Sequence, residues 1–426
     1  MNRTRLMALL AVFAMIVAAC GGGDGAAEST TTTAAPETTT TTAAPETTTT
    51  EAEPVELLIW ADENRTAVVE TIAPAFTEAT GVEVRVQTVD FGSIRDQVGV
   101  AGPAGEGPDI FAGAHDWTGE LAADGTIVPL ELGAKSSEFF EVALNAFNFE
   151  GQLYAVPYAL EAVAMYYNTD LVPEAPTAFE DLAGLCEAAG TPSCVGIPGG
   201  GDAADAYHNY PFVSALGGYI FAYDPATGYD PSDIGLDSDA AVAGVEFLEE
   251  QVAAGVVEPT NYDNAKNLFL EGSAPFWITG PWERANLEAQ DAINWGVTKL
   301  PTIDGRAPAP FVGSQGFFLS AFSENALIAQ SFLLDFIATQ EVQQALYDAD
   351  PRGPAHQAVA EGLASDPVAL AFAASAADGN PMPNIPQMGS VWGPLGDNLL
   401  LVRNGDLSAS EAMAAAAEAV RAALAG

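Results

Sequence analysis

Apolar and polar residues follow two different periods along the chain, and the changes between them predict strands and helices. VELLIW, residues 55–60, is a short apolar run of the kind that forms a buried strand. Residues 66–79 place apolar side chains at helical spacing, and VEVRVQTV, residues 82–89, alternates as a second strand. A strand, a helix and a strand in this order predict the start of an α/β sheet.

Residues 151–170, GQLYAVPYALEAVAMYYNTD, are mostly apolar and aromatic but carry a carboxylate, Glu161, near their middle. A buried carboxylate needs a partner or a ligand. Pro157 cannot donate a hydrogen bond to a sheet and should interrupt the strand, so we expect this stretch to pass from one packed unit to another and to contact a ligand. An ordinary buried strand with Glu161 at its solvent-exposed end is the alternative.

The length of the chain indicates more than one domain. With 426 residues it is too long for one hydrophobic core and suits two domains with appendages. We predict that the chain crosses between the domains near residues 159–164, 311–316 and 361–368. The first predicted lobe comprises residues 55–159 and 316–361, and the second comprises residues 164–310 and 368–426.

The N-terminus has the pattern of an export signal. Arg3 and Arg5 precede a short apolar run, which ends in VAACG. This pattern resembles the bacterial lipoprotein signal, so we predict a signal peptide over residues 1–19, a lipidated Cys20 and an anchor on the outer face of the cell membrane. A plain secretory signal with an incidental cysteine is the alternative. Residues 20–54, rich in Thr, Ala, Pro and Glu, are predicted to be a disordered linker.

The charge of the chain restricts its ligands. Thirteen Lys and Arg residues face 58 Asp and Glu residues, which gives a formal net charge of −45. This charge repels nucleic acid and disfavours a phosphorylated or carboxylate ligand. A neutral or cationic ligand fits better.

Two further cysteines, Cys186 and Cys194, flank a turn that contains Gly190 and Pro192. Because an exported protein folds in an oxidising compartment, we predict a disulfide between them. The spacing does not match a CxxC redox pair, so its predicted role is structural.

Motifs for catalysis or metal binding are not found in the sequence. His115, His208 and His356 are far apart and lack the spacing of a zinc site. No GxSxG nucleophile motif occurs, and the glycines at 199–201 lack the lysine of a phosphate-binding loop. The sequence therefore predicts no catalytic residue, no metal and no cofactor.

Carboxylates and aromatic residues do accumulate at positions predicted to be loops or helix starts. The carboxylates are Asp62, Asp116, Glu161 and Asp205, and the aromatic residues are Trp282 and Trp392. Carboxylates accept hydrogen bonds from hydroxyls, and indole rings stack on the apolar face of a sugar ring. This combination suits a neutral polyhydroxylated ligand, although each aromatic residue could instead belong to the core.

Several long blocks of the chain resemble the maltose/maltodextrin-binding proteins of ABC sugar importers. They include GEGPDIFAGAHD, YAVPYALEAVAMYYNTDLVP, ITGPWERANLE, PFVGSQGFFLSAF and MPNIPQM, in this order. The resemblance implies an α/β, two-lobed periplasmic-binding-protein fold that closes over a neutral α-glucoside such as maltose, maltodextrin or trehalose. It also implies a monomer that docks on a permease driven by an ATPase.

The resemblance places ligand contacts on Asp62, Arg65, Asp116, Glu161, Asp205, Tyr207, Trp282 and Trp392. The chain departs from the maltose binders at four positions. Gly113 stands where they have a stacking tryptophan, His208 replaces an aromatic contact, and Gly393 and Gly396 replace a tyrosine and an arginine. Fewer stacking faces favour a small α-glucoside over a long maltodextrin.

Two other functions remain open from the sequence alone. A secreted glycoside hydrolase would need two carboxylates flanking one bond, and Asp116 and Glu161 are candidates for such a pair. A binder of peptides or amines with the same fold would use the acidic residues to hold a cation.

Overall fold

The computed structural model describes residues 55–224 and 228–425, in which helices alternate with the strands of two main β-sheets. The predicted signal peptide, the lipidation of Cys20 and the predicted linker over residues 20–54 lie outside the described residues. Within the described ranges, no helix is both long enough and apolar enough to cross a membrane.

The first sheet has seven strands and begins with the predicted strand, helix and strand. Glu56–Ala61 pairs in parallel with Glu83–Thr88, and helix Glu63–Thr80 connects them. In order across the sheet, the strands are Gly353–Pro354, Ala155–Glu161, Phe311–Leu319, Ile110–Ala114, Glu56–Ala61 and Glu83–Thr88, and Asn380–Pro381 pairs with Phe311–Leu319.

The second sheet has four strands and is built from the middle of the chain. In order, they are Trp295–Thr298, Ala164–Asn168, Phe276–Thr279 and Val195–Gly196. Two further strand pairs are Phe221–Asp224 with Gly228–Ile234, and Asn148–Phe149 with Gln152–Leu153. The described residues therefore form the mixed α/β, two-lobed fold that the sequence predicts.

The chain changes sheet within residues 151–170. Strand Ala155–Glu161 belongs to the first sheet, and strand Ala164–Asn168, which begins three residues later, belongs to the second. Pro157 does not interrupt the first of these strands, contrary to our expectation. It lies opposite Gly316, next to a shift of register between the two strands. At this irregularity the sheet tolerates the backbone N–H that proline lacks.

Helices cover the outer faces of the sheets and form the C-terminal part of the chain. The α-helices are Glu63–Thr80, Phe91–Ala101, Thr118–Ala123, Glu141–Ala146, Leu182–Ala189, Ala206–Ser214, Asp239–Ala253, Tyr262–Leu270, Arg284–Glu288, Ala326–Ser331, Gln340–Ala349, Gln357–Glu361, Pro367–Ala377, Trp392–Arg403 and Ala409–Ala425. Short 3₁₀ turns are His115–Trp117, Gly133–Glu138, Phe179–Asp181, Pro281–Glu283 and Pro386–Ser390, and Phe332–Ile337 is a π-helical turn.

Each main sheet packs against its own group of buried aromatic residues. Phe76 meets Phe332 edge-on beside the first sheet, with ring centroids 4.9 Å apart. Phe179 meets Phe212 in the same way beside the second sheet, at 5.5 Å. These separate cores stabilise the two sheets, and the loops that carry the candidate site extend from the ends of their strands.

The predicted disulfide is confirmed. Helix Leu182–Ala189 ends at Gly190, whose φ of 70° lets the chain reverse direction towards strand Val195–Gly196. This reversal brings Cys186 and Cys194 to a Cα separation of 5.4 Å, and their sulfur atoms are bonded.

Candidate functional site

Aromatic rings from four separate segments meet between the sheets and the C-terminal helices. The Tyr207 ring centroid lies 6.0 Å from that of Trp282 and 5.9 Å from that of Phe311. Phe311 in turn lies 5.7 Å from Trp392. The two predicted stacking tryptophans therefore belong to one aromatic cluster, and both are only half-buried.

Trp282 is held in place by its own turn and by hydrogen bonds. It follows strand Phe276–Thr279 in the turn Pro281–Glu283. Its ring lies against Gly280, where a Cβ would be 2.0 Å from a ring carbon, so this close approach requires glycine. The indole N–H donates to the Tyr262 hydroxyl at 2.7 Å, and that hydroxyl donates to Glu283 at 2.5 Å.

Trp392 and Asp116 join the C-terminal helices to the first sheet. Asp116 lies in the turn that follows strand Ile110–Ala114, and Trp392 begins helix Trp392–Arg403. The Trp392 indole N–H donates to Asp116 Oδ2 at 3.1 Å. Burial raises the pKa of Asp116 to about 7, although the Trp392 hydrogen bond opposes the shift.

Glu161, at the end of strand Ala155–Glu161, has the partner that its burial requires. Its Oε2 accepts from Arg352 Nη1 at 2.6 Å, and its Oε1 accepts from Gln315 Nε2 at 2.6 Å. Arg352 Nε also donates to Asp350 at 2.6 Å. Burial lowers the pKa of Arg352, but the charges of Asp350 and Glu161 outweigh it and hold that pKa well above its usual value.

Arg65 belongs to the same charged region. Its backbone N–H donates to Asp62 at 2.9 Å, and its guanidinium forms an ion pair with that carboxylate. Its Nε donates to the Tyr158 hydroxyl at 2.9 Å, and the guanidinium lies over the Phe91 ring, 4.7 Å from the centroid. Asp62 therefore caps helix Glu63–Thr80 and orients Arg65.

Asp205 has a similar capping role in helix Ala206–Ser214. It accepts from the His208 backbone N–H at 2.9 Å, and its other oxygen lies 2.7 Å from His208 Nδ1. Burial raises the pKa of Asp205, but the charge and hydrogen bonds of His208 outweigh it and lower that pKa overall. His208 meets the Trp282 ring edge-on at 5.7 Å, so Asp205 supports the aromatic cluster through the histidine.

Two buried polar atoms beside Glu161 have no hydrogen-bond partner among the described residues: the Tyr207 hydroxyl and Gln315 Oε1. The Tyr207 hydroxyl and the Glu161 side chain both adjoin Gly313, where a Cβ would lie 3.5 Å from the hydroxyl and 3.2 Å from Glu161 Cγ. Buried polar groups are nearly always paired, so these atoms mark a place where a polar ligand fits.

The structure explains one of the departures from the maltose binders. The Trp117 ring occupies the space over Gly113, where a Cβ would be 2.3 Å from a ring carbon. A larger residue at position 113 therefore does not fit while Trp117 keeps this position. Gly393, by contrast, has open space where its Cβ would be.

The sequence did not identify Arg352, Gln315 or Tyr262 as site residues. Gln315 had a signal, because it is a polar residue within the apolar run FVGSQGFFLSAF. Arg352 and Tyr262 lie in segments without a local pattern that marks a site. Only the tertiary structure brings them to Glu161 and Trp282.

A cavity of about 570 Å³ shares Phe311 with this cluster. Tyr210 and Phe311 line it and stack face to face, with ring centroids 3.7 Å apart. None of the ligand residues predicted from the sequence lines this cavity. The cavity therefore adjoins the aromatic cluster at Phe311, but neither Trp282 nor Trp392 lines it.

Comparison with known proteins gives consistent matches along the chain. The family model for bacterial extracellular solute-binding proteins matches residues 71–374. The chain is 30% identical over 372 residues to a maltooligosaccharide ABC transporter solute-binding lipoprotein of Streptococcus pneumoniae, covering 84% of this chain and 86% of that protein. It is 28% identical over 383 residues to the galactooligosaccharide-binding protein of Bacillus subtilis, covering 86% and 89%. The maltotriose-binding protein of Pyrococcus abyssi is 30% identical over 353 residues, covering 79% and 75%.

These three relatives are named as binding proteins, and none of the three names describes an enzyme. The family model spans more than half of the chain, including the strands and turns that carry Asp116, Glu161 and Trp282. The resemblance inferred from the sequence blocks is thereby confirmed. The chain belongs to the bacterial extracellular solute-binding protein family.

Proposed function

We propose that this protein is the extracytoplasmic solute-binding component of an ABC sugar importer. It binds a neutral α-glucoside, such as maltose, maltodextrin or trehalose, and delivers it to the permease without turnover. The observation that carries the proposal is the half-buried aromatic cluster of Tyr207, Trp282 and Trp392 beside the unpartnered polar atoms near Glu161. Stacking faces next to hydrogen-bonding groups suit a sugar ring.

The names of the relatives support the sugar class and widen it. Two of the relatives compared above are named for maltooligosaccharides or maltotriose, and one for galactooligosaccharides. Galactosides therefore belong in any screen of ligands. The acidic chain, with a net charge of −45, favours a neutral sugar over an acidic one.

The proposal includes the anchor and the two lobes. Lipidation of Cys20 would attach the protein to the outer face of the membrane, and residues 20–54 would connect it to a monomeric binding domain. Residues 55–159 and 316–361 form one lobe, and residues 164–310 and 368–426 form the other. Support comes from the change of sheet between Glu161 and Ala164 and from the separate cores of the two sheets.

Closure of the two lobes over the sugar completes the mechanism. Arg65 and Asp116 extend from the first sheet, whereas Trp282 extends from the second. A sugar that contacts residues of both lobes favours the closed form, because only that form satisfies all of the contacts at once. The closed form then presents both lobes to the permease in one geometry.

Calorimetric titration of the full chain tests the function. We expect binding of maltose, maltotriose, trehalose or galactotriose, and no binding of spermidine or of a neutral tripeptide. Binding of spermidine without any sugar would favour the amine-binding alternative.

Chromatography of the sugar after long incubation with the protein tests the hydrolase alternative. That alternative requires a carboxylic acid with a raised pKa, and Asp116 has one. We expect the sugar to be recovered intact. Release of monosaccharide by the wild type, but not by Asp116→Asn, would show that the protein is a hydrolase.

A further inference from the structure

The Arg352 guanidinium lies between the carboxylate of Glu161 and the ring of Trp282. Its Nη1 donates to Glu161 at 2.6 Å, and its Cζ lies 5.7 Å from the Trp282 ring centroid. Only 3% of the Arg352 side chain is exposed. A guanidinium held in this way lies over the indole ring and places fixed hydrogen-bond donors beside it.

The hydrogen bonds of Arg352 leave part of the guanidinium available. Nε is bonded to Asp350 and Nη1 to Glu161, and no acceptor among the described residues is bonded to Nη2. The side-chain amide of Gln315 likewise has one bonded and one unbonded atom. Its Nε2 donates to Glu161, while its Oε1 has no partner in the described part of the chain. A free donor and a free acceptor thus flank the same carboxylate, Glu161.

The Tyr207 hydroxyl adds a third unpartnered group to this set. It is buried, and it adjoins Gly313 on the side where Glu161 also lies. A hydroxyl can donate and accept, so the set matches sugar hydroxyls, which also do both. An isolated buried hydroxyl without a partner costs stability, so a ligand that pairs with it recovers that cost.

The charges around Arg352 indicate which kind of sugar fits. One guanidinium faces two carboxylates, Asp350 and Glu161, at 2.6 Å each. Its positive charge is therefore already balanced, and an added carboxylate would meet net negative charge. A uronic acid is disfavoured, whereas a neutral sugar with free hydroxyls is not.

We propose that Arg352, Gln315 and Tyr207 form a polar subsite beside Trp282 that binds two adjacent free hydroxyls of the sugar ring stacked on that indole. The subsite selects neutral sugars and rejects sugars that lack either hydroxyl or carry a carboxylate. This inference rests on the proposed function, and it assigns ligand contacts to Arg352 and Gln315 in addition to those predicted from the sequence.

Three substitutions in the full chain test the subsite, with maltotriose and galactotriose as the titrated sugars. Tyr207→Phe removes one unpartnered hydroxyl, and Gln315→Leu removes one unpartnered oxygen together with the Nε2–H group that donates to Glu161. We expect each substitution to weaken binding by about 5–10-fold. Arg352→Lys keeps the charge but loses the planar fork, and we expect a loss of about 10–100-fold. The matched controls are Tyr219→Phe, Gln344→Leu and Arg421→Lys, whose polar groups bond to surface carboxylates elsewhere.

Thermal melting and a deoxy sugar separate ligand contacts from structural roles. Tyr207→Phe should melt no lower than the wild type, because it removes a buried hydroxyl without a partner. A monodeoxy analogue lacks one hydroxyl of the parent sugar. Relative to the wild type, the variant of the residue that contacts this hydroxyl should lose less affinity for the analogue than for the parent sugar. If Arg352→Lys does not fold, the affinities of Tyr207→Phe and Gln315→Leu still test the subsite.

Three negative outcomes have different meanings. Wild-type affinity in folded Tyr207→Phe and Gln315→Leu variants would overturn the subsite and leave sugar binding intact. Failure of the wild type to bind any sugar in the screen would overturn the proposed function and the subsite with it. Binding of glucuronic acid as tightly as glucose by the wild type would also contradict the selection of neutral sugars.

Discussion

Arg352 Nη1 donates to Glu161 Oε2 over 2.6 Å, although the two residues are 191 positions apart in the chain. Both side chains are buried, at 3% and 7% exposure. Burying an ion pair carries a desolvation cost, which is offset only when the remaining polar atoms are also bonded. Asp350 bonds to Arg352 Nε and Gln315 bonds to Glu161 Oε1, which supplies part of that offset here.

This arrangement predicts unequal effects when either partner is removed. Arg352→Met leaves Glu161 and Asp350 without their shared cation, so we expect it to lower the free energy of unfolding by about 3–5 kcal/mol. Glu161→Gln leaves Arg352 paired with Asp350 and should cost less. Chemical denaturation measures both values.

The exposed pair of Arg421 and Asp237 provides the control. Its side chains are 47% and 36% exposed, and Arg421→Met should change the free energy of unfolding by less than about 1 kcal/mol. A cost for Arg352→Met no greater than for this surface variant would contradict the importance of the buried pair.

The aromatic cluster gives a prediction on affinity. Trp282 and Trp392 are half-buried, so replacing either with alanine should weaken sugar binding by about 1–2 kcal/mol and leave the fold intact. Trp277→Ala is the matched control, because Trp277 is fully buried and its loss should lower stability by about 3–5 kcal/mol. Calorimetry measures the loss of sugar affinity and thermal melting measures the loss of stability, so together they distinguish a ligand contact from a core residue. If melting collapses in Trp282→Ala while the folded fraction keeps its affinity, Trp282 is a core residue.

Asp116 predicts a dependence of stability on pH. Burial raises its pKa to about 7 in the folded protein, whereas an aspartate in an unfolded chain has a pKa of about 4. Between these values the folded state holds a proton that the unfolded state has released, so stability falls as the pH rises from about 4 to about 7. Above about pH 7 this contribution no longer changes.

The variant Asp116→Asn isolates this effect, because its amide does not titrate and still accepts from Trp392. We expect the wild type to lose up to about 4 kcal/mol relative to Asp116→Asn between pH 4 and pH 7. Urea denaturation at several pH values measures the difference. A difference independent of pH would show that Asp116 ionises normally.

The disulfide predicts a modest stabilisation. Cys186 and Cys194 are separated by eight positions, and a loop of this length is expected to contribute about 2–3 kcal/mol. The double substitution Cys186→Ser and Cys194→Ser should lower the free energy of unfolding by that amount without changing sugar affinity. Loss of binding in the folded variant would mean that the loop also shapes the site.

The proposed closure predicts a change in molecular shape. A protein that begins at Val55 keeps both sheets and their cores while removing the N-terminal segment. Its radius of gyration in small-angle scattering should decrease when a bound sugar saturates it. An unchanged radius at saturation would indicate a rigid binding module. Because the measurement requires a sugar that binds, it follows the calorimetric screen.

The sequence determined the features that depend on neighbouring residues. Hydrophobic periods located strands such as Glu56–Ala61 and helices such as Glu63–Thr80 within a few residues. The turn at Gly190 indicated the disulfide, and the sequence blocks indicated the family. Asp62 and Asp205 also have a local pattern, that of a helix N-cap, and each caps the helix that follows it.

The tertiary structure alone decided which remote side chains meet. Glu161 was recognisable as a buried carboxylate, but its partner Arg352 lies in a loop that no period or motif connects to it. The contacts of Tyr262 with Trp282 and of Trp392 with Asp116 have the same origin. An ion pair or a buried hydrogen bond depends on the final positions of two segments, and those positions follow from the packing of whole sheets and helices. Local sequence therefore specified that Glu161 needs a partner, and the fold specified which residue it is.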